Sequence, residues 1–308
     1  MKLTNHFNLP ETFINVIKRP QYSRGKAQIS VTEILNSPRI VQLRQKHMDE
    51  ITEDAADMVW SLFGSAVHNI LQHGKGDNHI VEERLHIDFN GWHISGALDL
   101  QEVTPNGIGI RDYKVTSAWA VQQDKKEWVE QLNLYAWLVE KVKFTKVTDL
   151  QIVGIVRDWS RRDAVNKPTY PQAPIAVINI PLWPMEEREK FVEERLSKHN
   201  EAVFALGMGD KLEDCTPEEM WEKPTVYAVR KIGGVRAKSL HGSKEKAEEE
   251  LAQLNVKKKD YEIEVREGGR TRCEGFCQVS QYCDQYQQYL KDRGIEVVEN
   301  ITPIDEGK

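Results

Sequence analysis

Ile108-Gly109-Ile110-Arg111-Asp112-Tyr113-Lys114-Val115 is rich in strand-forming residues, and within it Asp112 and Lys114 stand two apart. Side chains of a strand alternate between its two faces, so this spacing points an acid and an amine into one small volume. Upstream, Gly96-Ala97-Leu98-Asp99 closes another strand-like run. Pairing of the two strands brings the Asp99 carboxylate beside that of Asp112. Two carboxylates and a lysine at one strand edge make a site for a hard cation with a fixed positive charge beside it.

Working outward, the segment from Asn78 to Phe89 alternates, with Val81, Glu83, Leu85, Ile87 and Phe89 on one side. Asn90-Gly91 is a strong hairpin signal joining it to the strand that ends at Asp99, and Pro105-Asn106-Gly107 turns into the strand around Asp112. Three strands thus place Asp99, Asp112 and Lys114 in one sheet. Glu82 and Glu83 have two readings, support of the site from this strand or membership of a solvated strand face, and the second is the better one. Before the hairpin, Phe63, Val67, Ile70 and Leu71 keep helical spacing on a segment that carries His68. Earlier still, Ser30-Val31-Thr32-Glu33 opens one short helix and Pro38 a second. After the third strand the pattern predicts a helix over 125–142, a strand over 150–156, a charged loop over 157–162, a strand over 174–181 and a long charged helix to about 206. This order indicates a mixed α/β sandwich.

Residues 1–29, marked by Pro10, Pro20 and Gly25, read as an irregular lead-in to a core over 30–209. Beyond Gly209 the texture changes. Strands at 226–229 and 235–240 flank Gly233-Gly234, Ser243 caps a helix to Leu254, and 261–265 gives one more strand. This ββαβ module, the cysteine segment after it, a helix and a polar tail make up residues 210–308. Hydrophobic residues at 40% and charged residues at 29% describe an ordinary globular chain. No apolar run approaches a membrane span and the N-terminus lacks a signal-peptide core, so a cytoplasmic location is expected. The net charge is -6, yet Lys223 to Arg272 carries 13 basic against 8 acidic residues. That excess suggests an arm that grips nucleic acid.

In order along the chain, Gly64-x-x-x-His68, Gly96-x-x-Asp99, Asp112-x-Lys114 and Gln131-x-x-x-Tyr135 resemble the motifs of the PD-(D/E)XK nuclease superfamily, RecB-type branch, over residues 30–157. The resemblance implies a restriction-endonuclease-like core, a mixed central sheet flanked by helices. It implies that His68, Asp99, Asp112 and the Tyr113 carbonyl ligate Mg²⁺ or Mn²⁺, and that Lys114 orients the attacking water and offsets charge on the phosphate. Gln131 and Tyr135, one helical turn apart, would hold the motif region and the DNA backbone. Many members have Glu where this chain has Asp112, which shortens the arm to the metal.

Cys273-x3-Cys277-x5-Cys283, with Cys215 as a fourth, is too sparse for a disulfide scaffold and reads as a ligand set. CRISPR-associated and AddB-like nucleases of this branch carry a [4Fe-4S] cluster on four cysteines, so the resemblance implies the same here. Those relatives usually place the lone cysteine before the nuclease motifs, whereas Cys215 follows them. Structural Zn²⁺ and buried thiols therefore stay open as readings. The expected function is a metal-dependent DNA exonuclease of phage or bacterial type, used in recombination or end processing beside a recombinase or single-strand-binding protein. The alternatives are a flap endonuclease and a non-catalytic DNA-binding recombination partner.

Overall fold

In the computed structural model, which describes residues 2–19, 24–254 and 260–295, the chain divides into two units, Met1–Leu212 and Glu213–Lys308. The first unit contains, in order, β1 (Lys2–Thr4), α1 (Glu11–Ile17), β2 (Ile29–Ser30), α2 (Val31–Leu35), α3 (Pro38–Lys46), β3 (Thr52–Asp54) and α4 (Val59–Leu71). There follow β4 (His79–Phe89), β5 (Trp92–Thr104), β6 (Gly107–Thr116), α5 (Lys126–Lys143), β7 (Val147–Val156), α6 (Arg161–Asn166), β8 (Ile175–Ile180) and α7 (Met185–Met208).

Two tight turns set the sheet. Asn90 and Gly91 take φ values of 47° and 80°, as a two-residue type I′ turn requires, and pair β4 with β5 from Phe89↔Trp92 to His79↔Glu102. The turn at Pro105-Asn106 pairs β5 with β6 from Thr104↔Gly107 to Leu100↔Arg111. β6 runs parallel to β7, and β7 antiparallel to β8. Because β4 lines one edge of β5, β2 and β6 must share the other. β2 pairs there at Ile94 and Ser95, and β6 begins at Leu100. Between them, residues 96–99 of β5 have no strand neighbour on that edge among the described residues. The candidate site opens at this gap.

α5 covers one face of the sheet. Leu132, Trp137 and Leu138 are fully buried against Leu98, Ile110 and Ile152, and Ile34 of α2 with Val192 and Leu196 of α7 completes the same core. Truncating a buried aromatic such as Trp137 to Ala costs about 3–5 kcal/mol. Gly96 permits the close approach of α5 and α2, since a Cβ there would meet Leu138 at 2.6 Å and Val31 at 2.9 Å. Ser30 closes a capping box with Glu33, and Pro38 occupies the first turn of α3, so both short helices start where their sequence directs.

Two readings are corrected, and a third gains a feature its spacing did not report. The lead-in is not irregular throughout: β1 pairs parallel with β3, and α1 follows it, while Pro20 lies outside the described residues. A three-residue strand has no detectable period, and the partner that satisfies its backbone is fifty residues away. α4 forms as its spacing predicts but buries no residue, and Ile70 is 71% exposed. Periodicity reports a helix, not a partner for its apolar face. The charged loop is helical in its last two residues, Arg161 and Arg162, since Ser160 caps α6 through the Asp163 N–H.

The second unit contains β9 (Glu222–Lys223), β10 (Val226–Lys231), β11 (Ala237–His241), α8 (Lys244–Gln253), β12 (Tyr261–Arg266), β13 (Gly269–Arg270), α9 (Thr271–Gly275) and α10 (Asp284–Asp292). β11-β10-β12 and α8 form the ββαβ module, and the β9–β13 pair leads into the cysteine segment. Arg230, Lys238, Lys244, Arg266 and Arg270 are each paired with a carboxylate inside this unit, so these five side chains are engaged within it. Lys257, Lys258, Lys259 and the polar tail beyond Ile295 lie outside the described residues. No helix among the described residues is long and apolar enough to cross a membrane.

Candidate active site

The two hairpin registers place three carboxylates in one row. Glu82 stands opposite Asp99, between the pairs Val81↔Leu100 and Glu83↔Leu98, and one step past Leu100↔Arg111 sets Asp99 opposite Asp112. Both ladders break at this row. Like charges directly opposite destabilise a sheet, and Glu82 takes φ 49°, a left-handed conformation uncommon outside glycine. Such strain at a charged cluster is characteristic of functional sites. Released from the ladder, Asp99 Oδ2 accepts the Tyr113 N–H at 2.7 Å.

α4 delivers His68 to the row. Its Nδ1 lies 3.3 Å from Asp99 Oδ1 and 3.7 Å from Glu82 Oε1, while Nε2 donates to the Tyr113 carbonyl at 3.0 Å. With acceptors at both nitrogens, Asp99 first and then Glu82 push the imidazole pKa up to about 10. Lys114 Nζ lies 2.6 Å from Asp112 Oδ2, as the strand period requires, and Gln131 of α5 donates to Asp112 Oδ1 at 3.3 Å. Burial raises the Asp112 pKa, the neighbouring Asp99 charge adds to this, and Lys114 opposes it. Tyr135, 5% exposed, sits one helical turn from Gln131 on the wall of the same cleft, whose volume is about 610 Å³.

Among the described residues, the one group of three metal-capable donors within 4.8 Å of one another is His68, Glu82 and Asp99. Carboxylate oxygens with one imidazole nitrogen fit a hard divalent cation, the nitrogen favouring Mn²⁺ over Mg²⁺. Asp112 stands outside this group, engaged by Lys114 and Gln131, and the Tyr113 carbonyl is engaged by His68. Glu82 was placed on a solvated face by the sequence reading, and the structure puts it in the row instead. The signal lay in Asn90-Gly91, whose turn type alone carries Glu82 opposite Asp99. Arg157, in the charged loop over 157–162, stacks on Trp60 of α4, its guanidinium carbon 4.4 Å from the ring centre.

In the second unit none of the four cysteines forms a disulfide. The Cys273 thiol is pushed up to about 12, chiefly by burial and then by Cys277, Cys215 and Cys283, so all four sulfurs share one neighbourhood. Gln285 of α10 accepts the Cys215 N–H at 2.9 Å and donates to its carbonyl at 3.0 Å, anchoring that residue beside the α10 N-terminus, where Cys283 is the capping residue. Among the described residues, no three of these sulfurs lie within 4.8 Å of one another.

The sequence profile of the PD-(D/E)XK nuclease superfamily matches residues 33–284, and the chain belongs to that superfamily. Membership and the mixed, helix-flanked sheet define a metal-dependent nuclease that hydrolyses phosphodiester bonds. Among solved structures the chain is similar to the crystal structure of SSO0001, with 18% identity over 61% of this chain and 84% of that one, at a TM-score of 0.41. No curated protein matches the chain.

Proposed function

We propose that this protein is a Mg²⁺- or Mn²⁺-dependent DNA exonuclease of RecB type, acting in recombination or DNA end processing in a bacterial cytoplasm, including that of a phage-infected host. The observation that carries the reading is the convergence of Asp99, Asp112, Lys114 and His68 at one break in the sheet. His68, Glu82 and Asp99, with Asp112 and the Tyr113 carbonyl beside them, are the residues that would hold the metal. A divalent cation bound there supplies Lewis-acid stabilisation of charge on the phosphate oxygens. Lys114, fixed by Asp112, places an ammonium where a water can be oriented and where negative charge grows in the transition state. Gln131 holds the other Asp112 oxygen, so the lysine's anchor is itself anchored. The intact Asp99, Asp112 and Lys114 cluster argues against a non-catalytic DNA-binding partner.

Incubating end-labelled linear and closed circular DNA with Mg²⁺ or Mn²⁺ tests the proposal. Progressive loss of linear DNA from its ends with the circle intact is expected. Cleavage of circles or of flap junctions alone would favour the endonuclease reading, and no cleavage of any substrate would defeat both.

The four cysteines are proposed to hold one [4Fe-4S] cluster with a structural role. The gathering of four thiols in one neighbourhood supports a shared metal core. Anaerobically purified protein should be brown with about four irons per chain. Colourless protein with stoichiometric zinc would overturn the cluster.

A further inference from the structure

The cleft continues past the carboxylate row to side chains that hydrolysis does not use. Arg84 follows Glu82 by two residues on β4, and the register sets it opposite Ala97, two residues from Asp99 on β5. Two strand residues span about 7 Å, the scale of one nucleotide step. Arg84 Nη1 donates to Ser95 Oγ at 3.3 Å, and the fully buried Ser95 donates in turn to the Arg24 carbonyl at 3.3 Å. The guanidinium is therefore braced on the sheet, and the short Ala97 side chain leaves the space before it open. Arg44 of α3 lines the same cleft.

Charge pairing sets these two apart. Lys114 is matched by Asp112, Arg24 by Glu33 at 3.2 Å, and His68 by Asp99. Among the described residues, no carboxylate lies within 4.0 Å of Arg84 or Arg44, although both line a cleft whose other cations are paired. A planar guanidinium that keeps unused donors in a recess is matched by a tetrahedral oxyanion, which it can grip through two parallel hydrogen bonds. Arg84 and Glu82 on β4 and Ala97 and Asp99 on β5 alternate onto one face of the strand pair, so the path from the guanidinium to Asp99 runs along that face.

We propose that Arg84, assisted by Arg44, forms a subsite for a non-scissile phosphate of the nucleic-acid strand whose scissile phosphate lies at Asp99 and Asp112. The proposal rests on the nuclease reading of the row, and it adds where the neighbouring part of the strand lies. The phosphate held there is either the terminal monoester of a strand end or an internal diester.

The test is binding of the full-length protein to single-stranded oligonucleotides in EDTA, where no cleavage intervenes, read by fluorescence anisotropy over a range of salt. The probes carry a 5′-phosphate, a 3′-phosphate or hydroxyl ends, and a closed single-stranded circle completes the set. Arg84→Ala should weaken binding about tenfold, as loss of a charged hydrogen-bonded contact does. It should also reduce the slope of log affinity against log salt by about 0.7, the contribution of one single-strand phosphate. Arg84→Lys should restore the slope without the full affinity, a split that a merely structural role would not produce. Arg44→Ala, on an exposed helix position, should act in the same direction without threat to folding. A loss confined to one phosphorylated end assigns the subsite to a strand terminus, and an equal loss on the circle assigns it to an internal phosphate. Unchanged affinity and slope in both Arg84→Ala and Arg44→Ala overturns the proposal. Normal binding by a protein that cleaves no DNA with Mn²⁺ overturns the nuclease reading instead.

Discussion

The carboxylate row of the first unit and the cysteine cluster of the second are both donor sets suited to metals, and they are assembled by opposite means. Glu82, Asp99 and Asp112 lie on three consecutive strands joined by two-residue turns, so the backbone ladder holds them whether or not an ion is present. Cys215 and Cys273 are separated by 58 residues, and short elements with the Gln285 clamp bring them together. A site set by strand register is prepaid by the sheet. One gathered from loops leaves closure entropy for its ligand to offset, and its order is tied to the ligand. Removing the metal should therefore silence the first site without loosening it, and should loosen the second.

The hardest test of that contrast is Asp112→Ala. Cleavage should fall by at least about a thousandfold, because the variant loses both a metal-side carboxylate and the anchor of Lys114. The first unit should melt no earlier, because a buried carboxylate with a raised pKa is itself costly. Activity retained in pure protein would sink the site assignment. Lys114→Ala should lower kcat by about 10²–10³-fold with Mn²⁺ affinity unchanged, since an ammonium has no lone pair to offer a metal. Loss of metal affinity alone would contradict its role.

Cys277→Ser makes the opposite prediction for the second unit. It should lose iron and lower the melting temperature by about 5 °C or more, while the turnover of molecules that remain folded stays near wild type. Equal melting of wild type and variant would show that the thiols carry no clamp.

His68 supplies a smaller, pH-dependent test. Its pKa in the folded protein is raised from 6.5 to about 10, so its ion pairs stabilise the metal-free fold fully below pH 6.5 and are lost as pH rises through 10. A cation at Nδ1 must displace that proton. Mn²⁺ affinity should rise with pH across the neutral range, with about one proton released per ion, as read by calorimetry in buffers of different ionisation enthalpy. His68→Ala should abolish the release, and a pH-independent wild-type affinity would remove the residue from the metal's surroundings. The smallest effect belongs to Glu82→Gln. It relieves like-charge repulsion across β4 and β5, so the metal-free protein should melt slightly higher while Mn²⁺ binds a few-fold more weakly. A lower melting temperature would mean that the His68 contact outweighs the repulsion.

By itself the sequence determined three strands, over 78–89, up to Asp99 and over 108–115, the helix bearing Gln131 and Tyr135, and the pairing of Asp112 with Lys114, while the second strand runs on past Asp99 to Thr104. Each rests on a local rule, namely the two-residue strand period, the turn chemistry of Asn90-Gly91, or helical spacing. Motif order along the chain also singled out His68 and Asp99 before any fold was known. Tertiary structure alone decided which edge of β5 each partner takes, and hence the gap at residues 96–99 where the cleft opens. It also decided the β1–β3 pairing, the uncovered apolar face of α4 and the reach of Arg84 into the cleft. A residue's period records which face it turns, but not what stands opposite that face. That is settled when distant segments compete for the same edge, and nothing in the local pattern of either segment encodes the outcome.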